Sequence, residues 1–312
     1  MLIWLAERPE RDALVLPDGV EAVPVPQRPG DDPGLGRVEV LVPPYRSRRV
    51  LDALPGMSGL RLVQALESGV EWLLPHAPEG VSVCNSRGAH DAAVAEWVLG
   101  VVLAMQRRLP DHLRAQGEAQ WRDVVAKGTW QPPYAGDLEG STLLIVGYGS
   151  IGVAVERRLE PFDVSILPVA RNARPGVYPA GDLPNLVREA DIVLLLVPLS
   201  PATEGMFGAE LLSAMKPGSL LVNAGRGRLV DQEALTEALY EGRIRAALDV
   251  TDPEPLPPDN RLWRAPNLLL TPHMAGDTPR RYRRSWEFVG DQVERLLAGE
   301  PLMNVVQRPA GP

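Results

Sequence analysis

The chain has 312 residues, a net charge of −8, one cysteine and four histidines. Its content of 45% hydrophobic and 23% charged residues is typical of a folded protein long enough for two domains, and it excludes a disordered chain. The acidic balance argues against a general nucleic-acid binder, and the single Cys84 excludes an intrachain disulfide.

The first 85 residues predict a small α/β unit. The apolar runs LIWLA, VEVLVP, LRLVQAL and VSVCNS alternate with breaks rich in Pro and Gly, and SRRVLDAL predicts a helix between the second and third runs. The helical pattern in TPRRYRRSWEFVGDQVERLLAGEPLMNVV comes after all the predicted strands. We therefore predict a smaller, flavodoxin-like α/β substrate domain that is discontinuous in sequence, formed by residues 1–89 and 277–312.

The amino terminus and the most apolar segment bear on localisation. The start, MLIWLAERPE, has no basic region before an apolar stretch and is not typical of a secretion signal. The segment AAVAEWVLGVVLAM, residues 92–105, contains Glu96 and is shorter than the about 20 residues that a membrane span needs. We expect a cytoplasmic protein without a membrane span, in which a single long helix runs from about His90 to Gln116.

Residues 90–276 predict a larger domain. Six β-rich runs alternate there with helical patterns: TLLIVG, VSILPVA, DIVLLLVP, SLLVNAG, RAALDV and NLLLTPH. Because these strands are continuous apolar blocks, we expect them to be buried on both faces, in a doubly wound parallel sheet. A cleft between the two domains is expected.

The motif GYGSIG directly follows the first of these strands and opens a helix, as in a dinucleotide-binding Rossmann domain. Gly147 permits the tight turn, Gly149 allows a pyrophosphate to approach, and Gly152 allows the helix to pack closely on the strand. The N–H groups near Ser150 and Ile151 would face the phosphates. The alternative is a glycine-rich turn without a ligand.

The second strand of this domain ends in VARNARP. An NAD-binding sheet normally presents an acid to the ribose there, but this chain has Ala170 followed by Arg171, Asn172 and Arg174. Two guanidinium groups and no acid favour a 2′-phosphate, so we predict NADP(H), with NAD(H) as the second option. A solvated basic loop is the alternative.

Three more motifs, VNAGRG, LDVTDPEP and TPHMAG, fall at the ends of later strands. Together with GYGSIG and VPLSPATEG they have the order and spacing of the D-isomer-specific 2-hydroxyacid dehydrogenases, which the chain resembles over nearly its whole length. The resemblance implies a catalytic trio of Arg226, Glu254 and His273. Taken singly, these could be a surface arginine, a solvated acid and a histidine that only packs at a strand end.

These residue types suit the reduction of a 2-oxo acid. A histidine can supply a proton at cellular pH, a neighbouring carboxylate favours its charged form, and an arginine can pair with the substrate carboxylate. The resemblance implies glyoxylate or hydroxypyruvate as substrate and a homodimer. The alternative from another class is a nucleotide-sensing binding protein similar to the corepressors of this family.

The resemblance implies further binding residues, while no metal site is predicted. Further cofactor neighbours are Tyr148, Val197, Pro198, Thr203, Asn223, Ala224, Asp249 and Gly276, of which Asp249 would accept the nicotinamide amide. The loop ALESGVEW is similar to the family's carboxylate-binding loop and implicates Ser68, Gly69 and Val70, with a plain turn as the alternative. Thr251 stands where many relatives carry an aromatic residue, and the roles of Tyr45, Arg87 and Trp286 stay open.

Overall fold

The computed structural model describes residues 1–121 and 135–306. Its strands are β1 Leu2–Leu5, β2 Glu21–Pro24, β3 Val38–Val42, β4 Leu62–Gln64, β5 Ser82–Cys84, β6 Thr142–Val146, β7 Ser165–Ala170, β8 Tyr178–Pro179, β9 Ile192–Leu195, β10 Leu220–Asn223, β11 Arg245–Leu248 and β12 Leu268–Leu270. Its α-helices are α1 Arg48–Ala53, α2 Asp91–Gln106, α3 Leu109–Gly117, α4 Ser150–Leu159, α5 Leu183–Leu186, α6 Ala209–Ala214, α7 Gln232–Tyr240 and α8 Pro279–Ala298.

The chain divides into two compact units, one formed by Met1–His90 with Asp277–Pro312 and the other by Asp91–Gly276. The α/β fold class predicted from the sequence is confirmed in both, because every strand pair in either sheet is parallel. Parallel strands need crossover connections, and helices supply most of them here.

The smaller unit has the strand order β2-β1-β3-β4-β5. The four apolar runs form β1, β3, β4 and β5, whereas β2 is an edge strand that we did not predict. One face of the sheet buries Ile3 and Val40 against Trp286 and Val289 of α8. The carboxy-terminal helix therefore completes this unit's core.

The larger unit has the strand order β12-β11-β10-β9-β6-β7-β8. Its central strands are buried on both faces, since Leu144 and Leu221 point into one apolar cluster while Leu143 and Leu220 point into the other. The chain reverses direction across the sheet between β6 and β9, and ligands of such sheets bind outside the carboxyl ends of the strands at this point.

The prediction of one helix from His90 to Gln116 is wrong. The segment forms two helices, α2 and α3, with Arg108 between them in the left-handed region at φ 54°. Pro110 explains the break, because it has no N–H to donate to the carbonyl of Gln106 and its ring would collide with that carbonyl. Among the described residues, no helix has both the length and the apolar character needed to cross a bilayer.

Candidate active site

The glycine-rich loop joins β6 to α4 in the larger unit, and two of its three glycines have a steric reason within the protein. Gly147 has φ 103°, and a Cβ atom there would lie 2.6 Å from the backbone nitrogen of Val197. A Cβ at Gly152 would lie 3.0 Å from the Tyr148 ring, whereas at Gly149 no atom lies within 4 Å of that position. The loop is closed on its protein side and open at Gly149, which fits a pyrophosphate approaching the backbone.

Helix α4 presents its positive end at this loop. It begins at Ser150 with Gly149 as its N-cap, and the cap makes no side-chain hydrogen bond. The first N–H groups of a helix have no partner within it, so those of Ser150 and Ile151 suit a phosphate. The hydroxyl of Ser150 donates to Asp91 Oδ1 at 3.1 Å.

The basic loop after β7 contacts the glycine-rich loop through Arg174. Its Nη2 donates to the carbonyl oxygen of Tyr148 at 2.6 Å, and its guanidinium lies 5.7 Å from the centre of the Tyr148 ring. The Tyr148 hydroxyl donates to Glu156. Burial and this bond raise the pKa of Tyr148 to about 12. Arg171 and Asn172 are exposed, and β7 ends at Ala170 without an acid.

The loop after β9 is closed by Thr203. The hydroxyl of Thr203 donates to the carbonyl of Pro198 at 2.7 Å and accepts the Ser200 N–H at 2.9 Å. Val197, in the same loop, packs against Gly147. Thr203 therefore shapes the segment in which sequence analysis placed nicotinamide neighbours.

The loop after β10 carries Arg226. The side chain of the buried Asn223 spans this turn, since it accepts the Gly225 N–H at 3.0 Å and donates to the Arg226 carbonyl at 2.9 Å. Ala224, between them, is half-buried. A Cβ atom at Gly227 would lie 2.0 Å from the carbonyl oxygen of Thr251, so this loop touches the loop that follows β11.

His273 and Glu254 are hydrogen-bonded, with 2.9 Å between His273 Nδ1 and Glu254 Oε2. The backbone N–H of Thr251 donates to the other carboxylate oxygen at 3.1 Å. Burial acts to raise the pKa of Glu254, but the His273 hydrogen bond and charge, the Thr251 N–H and the Arg226 charge outweigh it and hold this pKa below its usual value. In the larger unit, Glu254 therefore interacts with both of the other predicted catalytic residues, through a hydrogen bond to His273 and through the charge of Arg226.

The loop that carries His273 is held by Asp249. His273 has φ 53°, a left-handed conformation that costs energy in a residue other than glycine. Asp249 is 3% exposed. Its carboxylate accepts the Met274 and Ala275 N–H groups at 2.8 Å and the Thr271 hydroxyl at 2.6 Å. Asp249 was expected to bind nicotinamide, and the structure gives it a support role that the sequence did not reveal.

Ser68, Gly69 and Val70 lie in the smaller unit, between β4 and β5. The carbonyl of Ser68 accepts the side-chain amide of Asn85 at 2.7 Å, and Ser68 Oγ lies 3.0 Å from Nδ1 of His90. Sequence analysis placed these residues in a binding loop but did not identify the buried His90 behind them.

The three residues left open now have positions in the smaller unit. Trp286 is fully buried and donates to the carbonyl of Pro9 at 2.9 Å, so it is a core residue. The ring of Tyr45 is exposed and packs edge-on to Trp72 at 5.5 Å. Arg87 is exposed, and its described hydrogen bonds use backbone atoms.

A cavity of about 690 Å³ lies at the amino ends of the strands of the large sheet, opposite the carboxyl ends that carry the predicted site. Its lining includes Ser141, Asp191, Ser219 and Arg245. It contains none of the predicted site residues, and ligands of doubly wound sheets bind at the carboxyl ends. Within the described ranges, no three His, Cys, Asp or Glu side chains cluster as metal ligands.

Comparisons with known proteins agree on one family. A model described as D-isomer specific 2-hydroxyacid dehydrogenase, NAD binding domain, matches residues 99–275. A glyoxylate reductase of Thermofilum pendens is 36% identical over 262 residues, which cover 80% of this chain and 75% of that protein. A D-3-phosphoglycerate dehydrogenase of Methanocaldococcus jannaschii is 33% identical over 280 residues, which cover 87% of this chain. The match spans 52% of that protein, about half its length.

A solved structure is similar in fold over most of the chain. It is an NADPH-dependent glyoxylate/hydroxypyruvate reductase of Sinorhizobium meliloti in complex with NADP and sulfate, with a TM-score of 0.82, 26% identity and 98% coverage of each chain.

Proposed function

Because the chain belongs to the D-isomer-specific 2-hydroxyacid dehydrogenases, we propose that it reduces small 2-oxo acids to D-2-hydroxy acids with a nicotinamide cofactor. Glyoxylate and hydroxypyruvate are the proposed substrates, and NADP(H) is the proposed cofactor. The proposal depends above all on the hydrogen bond between His273 and Glu254, because it supplies a proton donor with its own counter-charge.

His273 is the proposed acid in the reduction. Its Nδ1 faces Glu254, which the lowered pKa keeps ionised, so Nε2 is the nitrogen that can pass a proton to substrate. The bound dihydronicotinamide would supply the hydride to the carbonyl carbon. As the carbonyl π electrons move to oxygen, that oxygen takes the proton from Nε2, and the proton returns in the oxidation direction.

Arg226 is proposed to bind the substrate carboxylate and to polarise the carbonyl. A guanidinium suits both tasks, since it pairs with a carboxylate through parallel hydrogen bonds and stabilises negative charge that develops on oxygen. Asp249 would keep the His273 loop in place while the proton moves.

The glycine-rich loop and the basic loop are proposed to hold the cofactor. The open position at Gly149 and the first N–H groups of α4 fit the pyrophosphate. Arg174 would bind the 2′-phosphate of NADP, because its contact with Tyr148 keeps one guanidinium nitrogen at the glycine-rich loop and leaves the others for the ligand. Arg171 would assist.

The proposal is tested by oxidation of NADPH and NADH with a panel of 2-oxo acids that includes glyoxylate, hydroxypyruvate and pyruvate. We expect the highest kcat/KM with NADPH. The R174A variant should raise KM for NADPH about tenfold and leave KM for NADH within about twofold, since one charge-assisted hydrogen-bond partner of the phosphate is lost. R157A, an exposed arginine on α4, is the control.

Two results would redirect the proposal. A clear preference for NADH would contradict the role given to Arg174. No turnover with any 2-oxo acid, together with tight NADP(H) binding, would favour the corepressor-like alternative.

A homodimer in the cytoplasm is also proposed. Leu99 and Leu103 of the apolar helix α2 stay partly exposed, which suits a contact with a second copy. Light scattering of the purified chain tests the proposed dimer, because a monomeric mass at micromolar concentration would contradict it.

A further inference from the structure

The indole of Trp97 reaches from helix α2 to the loop that carries His273. Its Nε1 donates to Oγ1 of Thr271 at 3.1 Å, across 174 positions of the sequence. The Thr271 hydroxyl lies in turn 2.6 Å from Oδ1 of Asp249. Three side chains of the larger unit are therefore joined in one hydrogen-bonded chain, which ends at the buried Asp249.

The direction of both bonds follows from the chemistry of the indole. An indole N–H can only donate, so the oxygen of Thr271 accepts from Trp97. The hydrogen of that hydroxyl is then left for the carboxylate of Asp249, and 2.6 Å is an ordinary length for a hydrogen bond from a hydroxyl to a carboxylate. Trp97 therefore opposes any rotation of the hydroxyl that would turn its hydrogen away from Asp249.

The carboxylate of Asp249 holds the chain on both sides of His273. It accepts the N–H groups of Met274 and Ala275, which follow His273, and the hydroxyl of Thr271, which precedes it by two positions. The backbone N–H of His273 itself lies 2.7 Å from the carbonyl oxygen of Asp249. A left-handed residue other than glycine persists only where its surroundings hold it on several sides. The Thr271 bond is therefore one of the contacts that keep His273 at φ 53°.

Helix α2 anchors this contact in the core of the larger unit. Val94, Val98 and Val101 of the helix are buried in one of the two apolar clusters of the large sheet, and the half-exposed ring of Trp97 packs against the same cluster. A phenylalanine ring would serve that packing equally well. The indole N–H is the part of Trp97 that packing does not require, and a substitution can remove it.

We propose that Trp97 is a positioning residue for His273. The indole N–H orients the Thr271 hydroxyl toward Asp249, and the bonds of Asp249 then hold the loop in which His273 pairs with Glu254. This role rests on the proposed function, in which His273 is the acid, and it adds a residue of α2 to the groups that serve the proton transfer. Trp97 acts through Thr271 and is not itself a catalytic residue.

Kinetics of the full chain test the role of the indole N–H. W97F removes that group and keeps an aromatic ring. We expect the single-turnover rate of NADPH oxidation at saturating glyoxylate to fall about threefold, with KM for both substrates within about twofold, because a displaced acid weakens the transition state and leaves binding intact. The matched control is W263F, which removes the indole N–H of an exposed tryptophan in the same unit. An unchanged rate in W97F would overturn the proposal.

A double-mutant cycle tests whether Trp97 acts through Thr271. T271V keeps the shape of the side chain without the hydroxyl and should lower the same rate about fivefold, since the bond to the Asp249 carboxylate is lost. W97F should add nothing in the T271V background. T271S restores a hydroxyl and should recover most of the rate. An equal effect of W97F in both backgrounds would show that Trp97 acts independently of Thr271, and would overturn its role.

Two measurements need no turnover. In protein labelled with ¹⁵N-tryptophan, the indole cross-peak that W97F removes should shift in T271V and keep its position in W263F. The N–H groups of Met274 and Ala275 should exchange with solvent about fivefold faster in W97F, while exchange in β10 is unchanged. An unshifted indole signal in T271V would show that the bond between the two side chains does not form.

These experiments separate the two proposals. Faster exchange of the His273 loop in W97F, in a protein that turns over no 2-oxo acid, would support the positioning role and contradict the proposed function. Turnover in the parent, with exchange and single-turnover rate unchanged in W97F, would do the reverse. If W97F does not fold, T271V and T271S still test the chain, because it predicts a loss of rate in the first and its recovery in the second.

Discussion

Each unit holds one histidine against a charged side chain, but the charges are opposite. His273 in the larger unit is half-exposed and meets the carboxylate of Glu254, whereas His90 in the smaller unit is buried and meets the guanidinium of Arg281. An anionic partner favours the charged imidazole, and a cationic donor requires the neutral one. The sign of the partner therefore distinguishes a histidine suited to move a proton from one suited to hold a fixed hydrogen bond.

The largest expected effect comes from removing the proposed proton donor, His273. H273A should lower kcat for 2-oxo acid reduction by about 10²- to 10⁴-fold, the usual contribution of general acid catalysis, while NADPH affinity stays within about threefold. H76A, an exposed histidine of the smaller unit, is the control. Stopped-flow measurement of NADPH oxidation checks this prediction. A loss of only a few-fold would show that His273 is not the proton donor, and the contrast between His273 and His90 would then have no bearing on catalysis.

A second, smaller effect is expected from the support beneath His273. D249N replaces an acceptor of three hydrogen bonds with a group that must present N–H to donors, at a cost of about 1–3 kcal/mol in unfolding free energy. We expect kcat to fall about tenfold because the strained loop shifts. Thermal unfolding and kcat are the measurements, and D291N, on the exposed face of α8, is the control. Wild-type values of both would show that the loop holds without this carboxylate.

The smallest effect concerns the charge of Glu254. Its pKa in the folded chain lies below the ordinary 4.5, so its ion pair adds stability above that pH and loses it as pH falls through the folded value. E254Q keeps an acceptor for His273 without the charge. We expect the parent to exceed E254Q in unfolding free energy by less than about 1 kcal/mol at pH 7, since the pair is partly exposed.

Urea unfolding of both proteins from pH 7 to pH 3 checks the sign. The difference should shrink below pH 4.5. A difference that grows in acid would mean that Glu254 is better accommodated as the neutral acid, which would weaken the contrast between the two histidines.

The larger unit was more predictable from sequence than the smaller one. Six of its seven strands lie in apolar runs that the sequence predicted, β8 being the exception, and its glycines follow the first strand with a diagnostic spacing. The edge strand β2, with the sequence EAVP, is half-exposed and ends in proline, so it gave a weak pattern. Pro110 is a sequence signal for the break between α2 and α3, but the apolar pattern before it favoured one continuous helix.

The hydrogen-bond networks were less predictable than the strands. Asp249 was placed at a strand end, yet its bonds to Met274 and Ala275 depend on how the next loop folds over it. His90 and Arg281 are 191 residues apart, and no local pattern links them. Motifs identify residues that touch ligands in a known family, whereas the supporting partners emerge only from the folded chain.

The contact at Gly227 has a consequence for redesign. With 2.0 Å between its missing Cβ and the Thr251 carbonyl, even a methyl group would push the two segments apart. Arg226 precedes this glycine and Glu254 follows Thr251 by three positions, so both would move when that spacing changes. Bulk inserted at Gly227 would therefore displace two of the proposed catalytic residues at once.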